Sequence, residues 1–131
     1  MNKRVTLEQA ATLAAQWRNE GKTVALANGV FDLLHVGHVR YLQGAKAMAD
    51  RLVVAVNSDA STRAVKGPSR PVISESERAE LLEALSCTDA VLICSEPGVR
   101  TVLRAIRPNL HVKGTDYTAT AGTVTIPAGS T

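Results

Sequence analysis

The sequence predicts an α/β protein with a mostly parallel sheet of five strands and helices on both faces. Short apolar runs alternate along the chain with longer segments of helical periodicity, which is typical of parallel strands joined by crossover helices. The run over residues 52–56 has no polar position, as expected for a strand that is buried on both sides. The 131 residues are enough for one domain with one core.

The first elements follow from local patterns. Apolar side chains recur at helical spacing over residues 7–18, which predicts an amphipathic helix. Thr6 is a suitable N-cap for this helix, and Gly21 is a suitable stop. The following segments predict a first strand over residues 23–28, a helix over 38–49 and a second strand over 52–56.

The remaining elements begin with a long polar stretch. Residues 57–70 are predicted to form a loop, and long loops in compact domains are often functional. Ser74 and Glu77 have capping-box spacing and predict a helix that runs to residue 86. A strand follows over 90–94, then a helix over 97–106 opened by Pro97, and short strands over 110–113 and 123–126.

Charge and composition narrow the classes of partner. A net charge of +3 and a pI near 9.1 suit anionic ligands. Aromatic residues make up 3% of the chain and Lys/Arg runs do not exceed two residues, which argues against a nucleic-acid partner. We expect no membrane partner, because apolar runs are too short to span a bilayer. The start of the sequence does not resemble a signal peptide, and two cysteines without metal spacing favour a cytoplasmic protein.

The most informative segment, residues 29–38, lies where the first strand passes into a helix. Backbone N–H groups and the helix dipole favour a phosphate at such a place. His35 and His38 add side-chain donors, and Gly37 allows close approach of the backbone. A zinc site is the rival interpretation, but no third ligand is evident and His111 stands alone in a late strand. The segment therefore indicates a site that grips a nucleoside triphosphate.

These motifs converge on one edge of the predicted sheet. They follow the first strand, the second strand, the strand that ends at Lys113 and the last strand. Ligands of parallel α/β sheets bind beyond the carboxyl ends of the strands. We therefore expect the motifs to form one site.

The sequence Gly-Val-Phe-Asp followed by His-Val-Gly-His resembles the HxGH signature of the cytidylyltransferase-like nucleotidyltransferase superfamily. Residues 50–59, residues 66–72 and the run Val-Lys-Gly-Thr-Asp-Tyr over 112–117 are similar to the adenylyltransferase domain of ADP-heptose synthesis enzymes, the D-glycero-D-manno-heptose 1-phosphate adenylyltransferases. The resemblance covers most of residues 23–117. It implies a Rossmann-like three-layer α/β/α fold.

The resemblance also implies a reaction. A sugar phosphate, heptose 1-phosphate, attacks the α-phosphorus of ATP, and pyrophosphate leaves. Catalysis then consists of alignment and charge stabilisation, and the enzyme needs no nucleophile of its own. Mg²⁺ would arrive on the nucleotide, and relatives are commonly homodimers. Two alternatives stay open: a cytidylyltransferase that uses CTP with glycerol 3-phosphate or another polyol phosphate, and a non-catalytic nucleotide-binding module.

Roles carry over from the family to matching positions. The resemblance implies three catalytic residues, ten nucleotide-binding residues, three substrate-binding residues and no protein-held metal. The catalytic set is His35, His38 and Lys66; the nucleotide set is Asn28, Gly29, Val30, Phe31, Gly37, Arg78, Gly114, Asp116, Ser130 and Thr131; the substrate set is Asn57, Asp59 and Arg70. For the substrate set, bracing of the site is an equal alternative to substrate contact. Asp32 is expected to brace its loop, and Arg78 to meet the β- and γ-phosphates.

The sequence departs from the family pattern after Tyr117. The segment over 117–123 is shorter than in relatives, and the family's final helix would begin where this sequence ends, at Thr131. Either the shortening is natural, or residues are missing from the sequence. A natural shortening would leave the lid over the phosphates incomplete.

Overall fold

The computed structural model describes residues 3–96, 99–114 and 123–126. Helices and strands alternate as expected. In chain order they are α1 (Leu7–Asn19), β1 (Val24–Gly29), α2 (Val36–Ala47), β2 (Arg51–Asn57), α3 (Asp59–Lys66), α4 (Glu75–Glu83), β3 (Ala90–Cys94), α5 (Arg100–Ile106), β4 (Leu110–Gly114) and β5 (Thr123–Ile126).

The five strands form one sheet in the order β3-β2-β1-β4-β5, and each neighbouring pair is parallel. This confirms the predicted fold class. The chain moves outward from β1 to β2 and β3, then returns to the other side of β1 to form β4. The strand order therefore reverses between β1 and β4, and parallel α/β sheets bind ligands outside the carboxyl ends of the strands at such a reversal.

Two apolar cores lie on opposite faces of the sheet. Alternate residues of each strand point to opposite faces, so Ala25 and Ala27 pack beneath α2 and α4, while Val24 and Leu26 pack beneath α1 and α5. Each of these four side chains is fully buried. The sheet is therefore packed by apolar side chains on both of its faces.

The helix starts follow their caps. The Thr6 hydroxyl accepts a hydrogen bond from the Gln9 N–H at 3.1 Å, and the Gln9 side chain accepts from the Thr6 N–H at 2.9 Å, so α1 begins with a complete capping box. The Ser74 hydroxyl accepts from the Glu77 N–H at 3.3 Å and begins α4. Both caps were predicted from the sequence.

The prediction of a single loop over residues 57–70 is wrong, because α3 lies within it. The Ser58 hydroxyl accepts from the Ser61 N–H at 3.1 Å and caps this helix, and Asp59 complements the dipole in its first turn. Ser61 and Thr62 are buried, so the polar sequence concealed the helix. α4 also ends earlier than expected, at Glu83, and α5 begins later, at Arg100.

In the described part of the chain, the helices are too short or too polar to cross a lipid bilayer.

Candidate functional site

The loop after β1 has an unusual backbone. Phe31 and Leu33 adopt left-handed backbone conformations, with φ of 53° and 52°. These conformations are unfavourable for residues other than glycine. Gly29 makes room for this arrangement, since a Cβ atom there would stand 3.3 Å from the Phe31 ring. The Phe31 ring lies edge-on to the His38 ring with 5.6 Å between centroids, and is stacked near Tyr41. The turn therefore brings an aromatic wall against the start of α2.

His35 and His38 cap α2 reciprocally. Nδ1 of His35 accepts a hydrogen bond from the Gly37 N–H at 3.0 Å, and Nδ1 of His38 accepts from the His35 N–H at 3.2 Å. The ring centroids are 4.2 Å apart. In a neutral imidazole whose Nδ1 accepts, Nε2 carries the proton. The cap thus leaves each histidine with an Nε2–H donor at a helix N-terminus, where the dipole favours an anion.

The environment of His38 disfavours the protonated, positively charged form of its imidazole. Burial lowers the pKa of His38 below its ordinary value, and the neighbouring His35 lowers it further. His38 is half-buried and His35 is exposed. A neutral His38 keeps its Nδ1 free to accept from the backbone, so the tautomer that donates from Nε2 persists near neutral pH.

Asp32 ties this loop to the segment before α4. Its carboxylate accepts hydrogen bonds from the backbone N–H groups of Val72 at 2.8 Å and Ile73 at 3.0 Å, and lies 3.4 Å from a guanidinium nitrogen of Arg70. Burial alone raises the pKa of Asp32, but these three donors outweigh it and hold the pKa below its ordinary value. The bracing role expected for Asp32 matches this geometry, and Arg70 joins it there.

Lys66 lies in the last turn of α3, and its side chain is exposed. Gly67 follows with φ of 98°, a conformation that ends the helix. The described contacts therefore leave the ammonium group accessible to a ligand. Val65, beside Lys66, is 62% exposed, so this turn is not packed against the body of the protein.

Arg78 occupies a different kind of position from the one expected. Its side chain has no exposed surface. The guanidinium donates to the carbonyl oxygens of Ile73, Val30 and Asn57 at 2.8, 2.7 and 2.7 Å, and to the Asp59 carboxylate at 2.7 Å. These acceptors belong to the loop after β1, the end of β2, the start of α3 and the segment before α4. Arg78 therefore joins the segments that surround the site, and in this structure its donors face the protein.

Asn57 and Asp59 take part in the same junction. Besides the Arg78 contacts, the Asn57 amide lies 3.4 Å from both the Ser61 hydroxyl and the Glu96 carbonyl oxygen, and the Asp59 N–H donates to Glu75 at 2.8 Å. Of the two roles left open for Asn57 and Asp59, the described contacts favour bracing.

Sequence reasoning missed one contact at the switch point. Nε2 of His111 in β4 lies 2.6 Å from Oδ1 of Asn28 in β1. His111 is only 8% exposed. Its position opposite Leu26 in the parallel register could have suggested the pairing once the order of β1 and β4 was known.

Of the remaining residues expected to bind the nucleotide near the end of the chain, one lies within the described residues and three lie outside them. Gly114 is the last residue of β4 and pairs with Ile126, at the same edge of the sheet as Gly29. Asp116, Ser130 and Thr131 lie outside the described residues. Within the described ranges, no cluster of three His, Cys, Asp or Glu side chains is arranged to hold a metal ion.

Comparison with known proteins agrees with this architecture. Residues 26–126 match the protein family described as Cytidylyltransferase-like. The chain is 56% identical over 101 residues to the bifunctional protein HldE of Syntrophotalea carbinolica, and 47% identical over 120 residues to that of Koribacter versatilis. These alignments cover 77% and 92% of this chain but only 21% and 24% of the relatives, so the chain spans less than a quarter of their length.

One solved structure is similar to this chain over nearly the whole of the solved chain. The crystal structure of the lipopolysaccharide core biosynthesis protein from Thermoplasma volcanium superposes with a TM-score of 0.74 and 28% sequence identity, covering 82% of this chain and 98% of that one. The family match over residues 26–126 includes the histidine pair and all of the sheet except the first two residues of β1. The chain therefore belongs to the cytidylyltransferase-like family.

Proposed function

We propose that this chain transfers AMP from ATP to heptose 1-phosphate, releasing pyrophosphate and giving an ADP-sugar. The observation that carries the proposal is the pair of Nε2–H donors of His35 and His38 at the N-terminus of α2. The choice of an adenylyl donor and a heptose acceptor rests on the identity to HldE proteins and on the sequence motifs that resemble heptose phosphate adenylyltransferases.

The proposed step does not require a nucleophile from the enzyme, because the sugar phosphate is itself the attacking group. A phosphate oxygen of the sugar phosphate forms a new bond to the α-phosphorus of ATP. The bond from that phosphorus to the bridging oxygen breaks, and pyrophosphate leaves with the electron pair. Negative charge builds on the oxygens around the α-phosphorus, and donors fixed in advance stabilise it. His35 and His38 are fixed by their reciprocal cap, so little reorganisation is required.

Lys66 would supply the mobile positive charge. Its exposed position in the last turn of α3 suits a side chain that closes on the α-phosphate or the incoming phosphate when both are bound. Arg70 has a partner in Asp32 at 3.4 Å and remains 46% exposed. We propose that Arg70 orients this segment, with substrate contact as a second role.

Mg²⁺ fits this site as a companion of the nucleotide. The carboxylate nearest the histidine pair in sequence, Asp32, already accepts from two backbone N–H groups, which makes it a poor metal ligand. Mg²⁺ commonly binds phosphate oxygens and retains several waters. Bound in that way, it would neutralise charge on the triphosphate, while the residues of this chain position the reacting groups.

The experiment that tests the function measures pyrophosphate release with Mg²⁺, using ATP or CTP with heptose 1-phosphate or glycerol 3-phosphate. The proposal expects release from the pair of ATP and heptose 1-phosphate. Release only with CTP would refute the nucleotide, and release only with glycerol 3-phosphate would refute the acceptor. A folded chain that binds nucleotide but is silent with every pair would refute catalysis.

Two variants of His38 separate catalysis from folding. Asparagine at position 38 keeps an acceptor near Nδ1 but lacks the Nε2 donor, and glutamine does the reverse. We expect His38→Asn to retain stability and lose turnover by about two to three orders of magnitude, as for other preorganised donors. We expect His38→Gln to lose about 1 kcal/mol with the cap and to retain more turnover. The opposite order of activities would refute the assigned Nε2 role.

We also propose a homodimer, which the family resemblance alone supports, and a cytoplasmic location, which the two cysteines without metal spacing support. Light scattering tests the assembly: twice the chain mass of 13.9 kDa is expected, and a mass of one chain would refute the dimer without affecting the chemistry.

A further inference from the structure

The contact between His111 and Asn28 lies at the reversal point of the sheet. Leu26 and His111 are register partners in the parallel pair of β1 and β4. Asn28 is two residues beyond Leu26, so its side chain points to the same face of the sheet. The next residue, Gly29, ends β1 and begins the turn toward the histidine pair. The contact therefore lies on the face of the sheet that α1 and α5 cover, at the carboxyl end of β1.

The contact fixes the orientation of the Asn28 amide. Oδ1 can only accept, so the His111 nitrogen at 2.6 Å must donate, which requires a proton on Nε2. With Oδ1 engaged, Nδ2 of Asn28 points away from His111. Nδ2 donates to no atom of the described residues, and it is not among their fully buried unsatisfied atoms. An amide donor is thus held at the carboxyl end of β1, and no acceptor among the described residues engages it.

We propose that His111 is a positioning residue for nucleotide binding: by donating to Oδ1, it presents the Asn28 Nδ2–H₂ group to an oxygen atom of the bound nucleotide. This inference rests on the proposed function for the identity of the ligand. It assigns a role to a histidine that the phosphate chemistry of His35 and His38 does not use.

Packing alone does not explain why a histidine occupies position 111. The position is 8% exposed, and its neighbour Val112 is fully buried. A polar ring buried at such a position costs free energy unless it is hydrogen-bonded. An aliphatic side chain would fill the same layer without that cost, but it would leave the Asn28 amide free to turn its oxygen outward. An outward oxygen would face the nucleotide oxygen and repel it.

The test compares His111→Leu with His111→Gln. Leucine removes the donor, while glutamine supplies an N–H near the place of Nε2. Calorimetry with ATP and Mg²⁺, without the sugar phosphate, should show about fivefold weaker binding for His111→Leu, the loss expected for one hydrogen bond. His111→Gln should stay within about twofold of the wild type. Circular dichroism should show the same fold for both variants.

A double-mutant cycle identifies the route of the effect. In an Asn28→Ala background, His111→Leu should weaken ATP binding no further, because the group that it positions is gone. A further fivefold loss in that background would overturn the proposal, as would equal affinity of His111→Leu and the wild type. Nitrogen-15 NMR of the imidazole supplies a second readout, in which an unprotonated Nε2 on His111 would also overturn it.

The outcomes keep this inference separate from the proposed function. If the wild type binds ATP with the expected variant pattern but releases no pyrophosphate, the function fails and the role of His111 stands. If pyrophosphate is released and His111→Leu binds ATP as the wild type does, only the role of His111 fails. A wild type that binds no ATP overturns both.

Discussion

Replacing Arg78 with lysine tests whether the site is assembled by a buried guanidinium. Arg78 has no exposed surface and donates four hydrogen bonds, to three carbonyl oxygens and to the Asp59 carboxylate. These acceptors lie in different directions around a planar fork. Lysine keeps the positive charge but concentrates its donors on one atom, so it cannot reach all four acceptors. At least one buried carbonyl then loses its partner.

The expected loss of unfolding free energy follows from the hydrogen bonds of Arg78. A buried polar group left without a hydrogen bond costs about 1–3 kcal/mol, so Arg78→Lys should lower the free energy of unfolding by about 2–3 kcal/mol. Arg78→Met removes all four donors and leaves the Asp59 carboxylate, which is 30% exposed, without its partner, so this variant should lose more stability than the lysine variant. Since domains of this size are stable by only about 5–15 kcal/mol, the lysine variant is the safer one to measure.

Urea unfolding followed by circular dichroism measures the loss, with Arg104→Lys as the control. Arg104 is exposed in α5, and such a substitution should change the free energy of unfolding by less than about 0.5 kcal/mol. If Arg78→Lys is as stable as the control but binds ATP much more weakly, the side chain contacts phosphate directly and the structural reasoning is refuted.

Three further predictions concern the histidine pair, the Asp32 brace and the link between α2 and the sheet. NMR titration of His35→Asn should raise the pKa of His38 but leave it below 6.5, because burial is the larger cause of the lowered value; a return to 6.5 or above would contradict this. The pKa of Asp32 is held below its ordinary value of 3.8, so its stabilising contribution is complete above that pH and is lost as pH falls through the folded-state pKa. Asp32→Asn should therefore flatten the acid limb of a plot of unfolding free energy against pH, and an unchanged limb would refute the brace. Tyr41→Phe should cost about 1 kcal/mol in urea unfolding, since the buried hydroxyl donates to the Val112 carbonyl at 2.6 Å; equal stability would refute that link.

The order of elements could be predicted because the patterns that define them are local. The caps at Thr6 and Ser74 lie within three residues of the N–H groups that they satisfy, and the apolar run of β2 is continuous in the sequence. α3 was missed because its buried residues, Ser61 and Thr62, are polar. Their burial depends on neighbours brought by the fold, which periodicity of apolar residues does not reveal.

The sequence predicts where the candidate site lies, but it does not predict how the side chains of that site are held. The signature around His35 and His38 indicated a phosphate site at a helix start, and the structure places that start beyond β1. The reciprocal cap that leaves both Nε2 atoms as donors depends on side-chain rotamers. Likewise, the partners of Arg78 are as far away as Val30, 48 residues earlier in the chain. Contacts of that range exist only once the topology is formed.

Two charged side chains together explain how the loop before α4 is held against the histidine loop. Asp32 accepts from the N–H of Ile73, and Arg78 donates to the carbonyl of the same residue. These two hydrogen bonds engage both backbone groups of Ile73, and Arg78 also donates to the Val30 carbonyl. Residue 73 is thereby fixed relative to the turn that carries Phe31. By contrast, the contacts described for Lys66 leave it exposed at the end of α3. The segment between Lys66 and Ile73 is thus anchored at Ile73, and this arrangement supports the role proposed above for Lys66, a side chain that closes on the bound ligands while the histidine donors stay in place.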